Sequence, residues 1–365
     1  MSFWDDFSQI FARDARKHKA LFLDPQRVDV EYDANPIKEG EAYCRLWLVE
    51  MCLSKGWELF KTRYPVVHSV MRFIHGGETV TIPYLAGPGF LKELTEDNLD
   101  RIIQYNHPLT PLFPFNRGLV ELQAGLFSMV ASDQMAKFIT ALGRFSQLLP
   151  VPQLSAVLSV ADPVYRGIED LLEVGGGRLE LGYQQTFDGA IGGSNYLRTG
   201  YFVAILAEEQ EIAESTLCIV NDSLRIGAPG KAKEFVTHHH WPLEGYSYML
   251  FRLERRTSQD WESLTDIKDL VYKAQEAASK GDYQQANNIL TAVKIAVFRS
   301  PDLTRFDKRQ MVLKITEELH EWGLESTKGP VPQPSLYSIM QRAALPVDAK
   351  TEAEFAALEA VFDVD

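Results

Sequence analysis

Residues 66–84, VVHSVMRFIHGGETVTIPY, carry the clearest local signature in the chain. A β-branched, apolar run leads into Gly76-Gly77, and apolar and polar residues alternate after the glycines. Alternation is the pattern of a strand with one buried face. A Gly-Gly pair supplies the positive φ values that a two-residue hairpin turn needs. The stretch therefore predicts a β-hairpin.

Similar patterns on both sides of this hairpin indicate further strands. Residues 43–53 read as a central strand, and residues 120–129 as another. After Gly175-Gly176-Gly177, apolar runs within 179–183, 196–206, 217–226 and 246–253 predict a second β-rich stretch. Many short strands between Gly, Pro, Asn and Asp clusters are typical of an antiparallel sandwich or small barrel. We also expect short helices over 96–105 and 155–172, the second interrupted near Pro163.

The pattern changes to helical spacing after residue 265. Segments 266–280, 284–298 and 306–322 are each amphipathic with a period near 3.6 residues. Ala277, Gly281, Tyr283 and Ala286 resemble one unit of a tetratricopeptide-type helical pair, in which small residues let two helices approach and the tyrosine fills the gap. No second copy follows at a fixed period, so the sequence does not predict a solenoid.

These patterns predict an α+β fold with two β-rich domains, a helical hairpin and a short tethered helical tail. The predicted segments are an N-terminal amphipathic helix within 1–26, a first β-rich domain with helices over 27–173, a second β-rich domain over 174–264, the helical hairpin over 265–325, a Pro-rich linker over 326–335 and an amphipathic C-terminal tail over 336–365.

Composition limits the classes of partner. The chain has 365 residues, 45% of them hydrophobic and 24% charged, and a net charge of −13. Nucleic-acid affinity comes largely from Lys and Arg that neutralise phosphates, so we expect no nucleic-acid partner. The densest basic patch, Arg252, Arg255 and Arg256, is the one local exception to this balance.

The cysteines and the absence of long apolar runs favour a cytoplasmic protein. Three cysteines without a CxxC spacing do not indicate a disulfide framework. No apolar run approaches the ~20 residues of a membrane helix, and acids stand where a secretory signal needs positive charge. We expect the N-terminal helix to pack on its own domain, with a partner or a membrane interface as alternatives. Its apolar stripe includes Phe3, Trp4, Phe7 and Phe11.

A histidine cluster is the only candidate metal site. If residues 238–240 are extended, His238 and His240 share one face and could hold a metal with a carboxylate such as Glu234 or Glu244. The alternative is a solvated loop before Trp241, because no HExxH or paired CxxC motif accompanies the cluster. The sequence also lacks GxSxG and Walker-type motifs, and we expect no cofactor.

The C-terminal tail carries the candidate partner-binding residues. Its spaced apolar positions could lie in a groove of a partner, of a second copy or of the same chain. They are Leu336, Ile339, Met340, Phe355, Leu358 and Phe362. We therefore expect a non-catalytic scaffold or assembly subunit. The alternatives are a hydrolase or metal-dependent enzyme with residues gathered from separate loops, and an effector whose linker a protease cleaves near Gly329-Pro330.

Overall fold

The computed structural model describes residues 18–54, 57–58, 61–87, 103–130, 154–174, 177–188, 195–207, 212–227, 240–322 and 324. The strands are β1 His18–Phe22, β2 Tyr43–Cys52, β3 Trp57–Glu58, β4 Lys61–His75, β5 Glu78–Ala86, β6 Ile103–Pro108, β7 Phe113–Pro114, β8 Leu119–Val130, β9 Arg178–Asp188, β10 Gly200–Leu206, β11 Leu217–Val220, β12 Ser223–Gly227, β13 His240–Pro242 and β14 Ser247–Arg256. The α-helices are α1 Leu154–Leu158, α2 Ala161–Val174, α3 Thr265–Ser279, α4 Tyr283–Arg299 and α5 Arg305–Glu321.

Antiparallel sheets followed by a helical region confirm the α+β class. The first sheet has the order β1-β10-β14-β2-β6, with β7 beside β2, and the second has the order β3-β4-β8-β9, with β5 beside β4. A small third sheet has the order β11-β12-β13. Strands from 27–173 and from 174–264 are thus neighbours in both large sheets, so the two stretches predicted as separate domains share their hydrogen-bonded ladders. The chain divides into two compact units between Thr257 and Ser258.

The predicted hairpin is confirmed. Strands β4 and β5 pair from Val67 opposite Ala86 to His75 opposite Glu78. Gly76 and Gly77 form the turn with φ values of 60° and 89°, a conformation that a side chain at either position would oppose. The glycines therefore fix the register that places alternate residues of both strands in the core.

The two large sheets enclose the main core as a sandwich. Buried side chains of β2, β10 and β14 pack with those of β4, β5, β8 and β9 in one apolar cluster. Aromatic rings from the two sheets contact each other in this core. The ring centroids of Phe73 and Phe113 are 4.2 Å apart, and those of Tyr183 and Phe202 are 5.7 Å apart. Strand β2, predicted as central, lies between β14 and β6, and Leu46 and Leu48 point from it into this core.

Two further layers cover the outer faces of the sandwich. Helix α2 places Ile168 and Leu172 against the second sheet. The third sheet contributes Leu217, Ile219 and Leu224 to a separate cluster on the first sheet. Its first hairpin turns at Asn221-Asp222, with positive φ at both residues.

One predicted helix is wrong where the structure describes it. Residues 103–108 were expected to include the end of a helix but form strand β6, which pairs with β2. A partner strand satisfies the backbone groups there, and this tertiary pairing outweighs a weak local helix propensity. The predicted break near Pro163 is confirmed, since α1 ends at Leu158 and α2 begins at Ala161.

The helical unit has the three predicted helices within one or two residues of their expected bounds. The Asp282 side chain caps α4 by accepting from the Gln285 backbone N–H at 3.0 Å, and Thr304 caps α5 in the same way. Ala277 and Ala286 are buried where α3 and α4 face each other. Tyr283, however, is 46% exposed and does not fill the gap expected from the tetratricopeptide resemblance. Among the described helices, none is long and apolar enough to cross a bilayer.

Candidate functional site

A fully buried carboxylate, Glu50, links the third sheet to the first. Its Oε2 accepts a hydrogen bond from the Ser223 hydroxyl at 2.5 Å, and its Oε1 accepts from the Leu224 backbone N–H at 3.2 Å and from the Tyr248 hydroxyl. Burial raises the pKa of Glu50, while these hydrogen bonds and Arg225 act in the opposite direction. Three hydrogen-bond donors therefore satisfy the buried Glu50 carboxylate, and two of them, from Ser223 and Leu224, attach the β11–β12 hairpin to the sandwich.

A β-bulge aims Glu50 at these partners. Glu50 lies opposite Leu250 and Leu48 opposite Phe251, so Val49 is an extra residue in β2. In a regular strand Glu50 would share the face of Leu48, which points into the sandwich core. The extra residue turns both Val49 and Glu50 toward the third sheet. No pattern in the sequence marks this bulge, because it depends on the register of the partner strand.

The imidazoles of His68 in β4 and His107 in β6 both contact Tyr84 of β5. His68 is fully buried, and its Nδ1 donates to the Tyr84 carbonyl at 2.9 Å. Burial lowers the pKa of His68 to about 4, which the bond to Tyr84 partly opposes. His107 stacks beside the Tyr84 ring at 5.8 Å, and burial lowers its pKa as well. His68 lies in β4 and His107 lies in β6.

Carboxylates pair with every arginine of the predicted basic patch. The pairs are Arg252–Asp222 at 3.3 Å, Arg255–Asp33 at 3.0 Å and Arg256–Glu254 at 2.6 Å. The Arg252 guanidinium also lies 4.9 Å from the Trp47 ring centroid, and the Trp47 Nε1–H donates to Glu254 at 2.7 Å. These contacts lower the positive charge that the patch presents to a phosphate.

The three cysteines are buried and unbridged. Burial raises the pKa of Cys44 and of Cys218, so both remain thiols at neutral pH. A thiol is a much weaker nucleophile than a thiolate. Cys44 and Cys52 are core residues of β2.

The structure describes only part of the predicted metal and partner sites. His240 begins β13 opposite Gly227, whereas His238 lies outside the described residues. Within the described ranges, no group of three or more His, Cys, Asp or Glu side chains is arranged to hold a metal ion. The predicted tail contacts Leu336, Ile339, Met340, Phe355, Leu358 and Phe362 also lie outside these ranges, as do Phe3, Trp4, Phe7 and Phe11. These assignments remain predictions.

Exposed aromatic side chains are concentrated on the helical unit. Seven large hydrophobic residues are exposed in the described part of the chain, and four of them belong to this unit although it is the smaller of the two. These four, named here the aromatic set, are Tyr272, Tyr283, Phe306 and Trp322, each 45–51% exposed. The other three are Val30, Leu119 and Trp241. The sequence interpretation missed this set, because helical periodicity alone placed no particular aromatic residue on the surface.

In the turn between α4 and α5, residues 299–309, the acidic side chains are buried and two of the arginines are exposed. Asp302 and Asp307 are buried. Asp307 accepts from the Gln259 backbone N–H at 2.8 Å and donates its own N–H to Thr304 Oγ1 at 3.1 Å. Arg299, Arg305 and Phe306 are exposed. The α4–α5 turn therefore combines an outward aromatic ring with cationic side chains in a chain of net negative charge.

Comparisons with known proteins add no family to this description. No family model, no curated protein and no solved structure shows a significant match to this chain.

Proposed function

We propose that the protein is a non-catalytic interaction or assembly subunit that binds a protein partner through its helical unit. The observation that carries this proposal is the aromatic set. Protein interfaces are enriched in Tyr, Trp and Phe and depleted in Lys and Glu at their centres. Such residues also dominate measured binding energies, Trp and Tyr above all.

The polar groups of the β unit are consistent with this proposal. Glu50 and His68 each have geometry that stabilises the sheets, and both are fully buried. Arg252, Arg255 and Arg256 are paired with acids. In this proposal the sandwich is a rigid scaffold, and its buried polar side chains stabilise the fold.

The predicted tail extends the same function. Its apolar residues Leu336, Ile339, Met340, Phe355, Leu358 and Phe362 would add a second contact to a partner or to a second copy. Two linked contacts bind more tightly than either alone, because the second forms at a high effective concentration.

A matched pair of full-length variants tests the proposal. In the first, serine replaces all four residues of the aromatic set. In the second, serine replaces Val30, Leu119 and Trp241, which are 53–62% exposed in the β unit. We expect quantitative affinity capture from native extract to recover a partner set with the wild-type chain and the second variant, and to lose it with the first. Equal recovery by both variants would contradict the proposal.

A further inference from the structure

We propose that the helical unit binds a basic, arginine-containing segment of its protein partner on one aromatic face. This face, named here the Trp322 face, is formed by Trp261, Tyr272, Glu318, Glu321 and Trp322. The inference rests on the proposed function, since Tyr272 and Trp322 belong to the aromatic set, and it specifies the chemistry of the partner.

A chain of contacts joins the aromatic side chains of the Trp322 face. The rings of Trp261 and Tyr272 meet edge to face, with their centroids 6.0 Å apart. The Trp261 Nε1–H donates to Glu318 Oε1 of α5 at 3.3 Å, and Trp322 follows Glu318 by one helical turn. Trp261 is buried, whereas Tyr272 and Trp322 are 45% and 51% exposed. The two exposed rings are therefore linked through one buried indole and one carboxylate.

The segments that carry these rings have a surplus of acidic side chains. Residues 260–269 contain four acids and one base, and residues 314–322 contain three acids and one base. Both bases already have partners, since the Lys268 ammonium lies 5.5 Å from the Tyr272 ring centroid and the Lys314 ammonium lies 3.6 Å from Asp260. Among the residues that the structure describes, the exposed Asp269 and Glu321 form no ion pair. The negative surplus of the face is therefore not neutralised within these segments.

The position of two acids is unfavourable for the helix that carries them. Glu318 and Glu321 lie in the last turn of α5, where the helix dipole favours cations. The Trp261 indole donates to Glu318, but no ion pair within the described ranges compensates Glu321. A cation bound beside them would interact favourably with the carboxylates and with the dipole, which a neutral or acidic partner could not do.

Arginine suits this combination of rings and acids. A guanidinium stacks on Trp and Tyr rings through its plane and pairs with carboxylates through its edge. The Lys268 ammonium already occupies the Tyr272 ring in this way within the chain. A second copy would bring a net charge of −13, and the chain's own segment 351–365 contains five acids and no base. Charge complementarity therefore favours a basic partner segment over either of these occupants.

Selection from a random dodecapeptide library displayed on phage, with purified full-length chain as bait, tests this chemistry. One variant, Asp269→Arg with Glu321→Arg, reverses the charge beside the exposed rings. A matched control, Glu78→Arg with Asp170→Arg, makes the same change in net charge at exposed sites of the β unit. We expect the wild type and the control to enrich peptides with a surplus of Arg and Lys, and the reversed variant to lose this enrichment.

The affinity of the most enriched wild-type peptide tests the contact directly. Replacing its arginines by citrulline, which is neutral and of similar shape, should weaken binding at least about tenfold, and Trp322→Ser should also weaken it. Enrichment without a basic surplus, or equal basic enrichment by the reversed variant, would overturn the inference. If the basic surplus is absent while the four-serine variant still loses its partner, the chemistry is wrong and the proposed function stands.

Photo-crosslinking of the free protein tests the other occupants. A benzophenone amino acid replaces Trp322, and mixing isotope-labelled with unlabelled chains separates crosslinks within a chain from those between chains. We expect neither a crosslink to a second copy nor one to residues 351–365. Either product in high yield would overturn the inference, because the face would then already be filled by the protein itself.

Discussion

Acidification should weaken the second sheet through His68, and a single substitution isolates the effect. The folded-state pKa of His68 is about 4, below the value of about 6.5 for an unfolded histidine. The stability that the neutral imidazole provides is therefore complete above pH 6.5 and is lost as the pH falls toward 4. At pH 5.0 the two pKa values give a loss of about 2 kcal/mol relative to pH 7.5.

The substitution His68→Asn removes the titration and retains the local hydrogen bond. The asparagine amide can replace Nδ1 as donor to the Tyr84 carbonyl, which lies 2.9 Å from Nδ1 in the structure. The smaller side chain leaves a cavity that destabilises the variant at every pH. The informative quantity is therefore the change in stability between pH 7.5 and pH 5.0 within each protein.

Hydrogen exchange of peptides from β4 and β5 measures this change without interference from the helical unit. After correction for intrinsic exchange, protection in the wild type should fall about 30-fold more than in His68→Asn between the two pH values, the equivalent of 2 kcal/mol. His320→Asn, on the exposed surface of α5, is the control and should follow the wild type. An equal loss of protection in wild type and His68→Asn would refute the assignment of acid sensitivity to this imidazole.

Three further tests, each made by substitution, concern other parts of the structure. Gly200→Ala should destabilise the β unit by about 3 kcal/mol and Gly245→Ala by about 1. Both glycines have positive φ, but only at Gly200 would a new Cβ lie 2.7 Å from the Tyr32 ring. Urea unfolding compares this pair, and equal costs would exclude the clash. Glu50→Gln should cost about 2 kcal/mol in the same assay because its amide group faces hydrogen-bond donors, and no change would contradict the proposed stabilisation of the β11–β12 hairpin by Glu50. Asp282→Ala should cost the helical unit about 1 kcal/mol, measured by circular dichroism, whereas Asp282→Asn should retain the cap.

Local signals in the sequence explain which elements could be predicted. The Gly76-Gly77 hairpin and the three C-terminal helices depend on turn chemistry, caps and periodicity within a few residues, and all of them formed as expected. Strand β6 depends on pairing with β2, and the local sequence of 103–108 does not contain that information. Alternation also cannot say which strands become neighbours, so the sharing of both large sheets by 27–173 and 174–264 was not foreseen.

The same distinction applies to the candidate site. Helical spacing predicted the helices that carry the aromatic set, but exposure of Tyr283 depends on how α3 and α4 pack, and the tetratricopeptide resemblance placed it inside. The contacts of Glu50 require a bulge at Val49 and a hairpin whose Ser223 lies 173 residues further along the chain. The predicted sites at His238 and in the tail stay predictions.

Binding of the captured partner to purified full-length chain tests the role of the aromatic set most directly. Truncation of interface anchors costs about 2 kcal/mol or more at each hot spot, so the four-serine variant should raise the dissociation constant at least about 100-fold. The variant with serine at Val30, Leu119 and Trp241 should stay within about threefold of the wild type. If the four-serine variant binds as tightly as the wild type, the helical unit is not the binding surface.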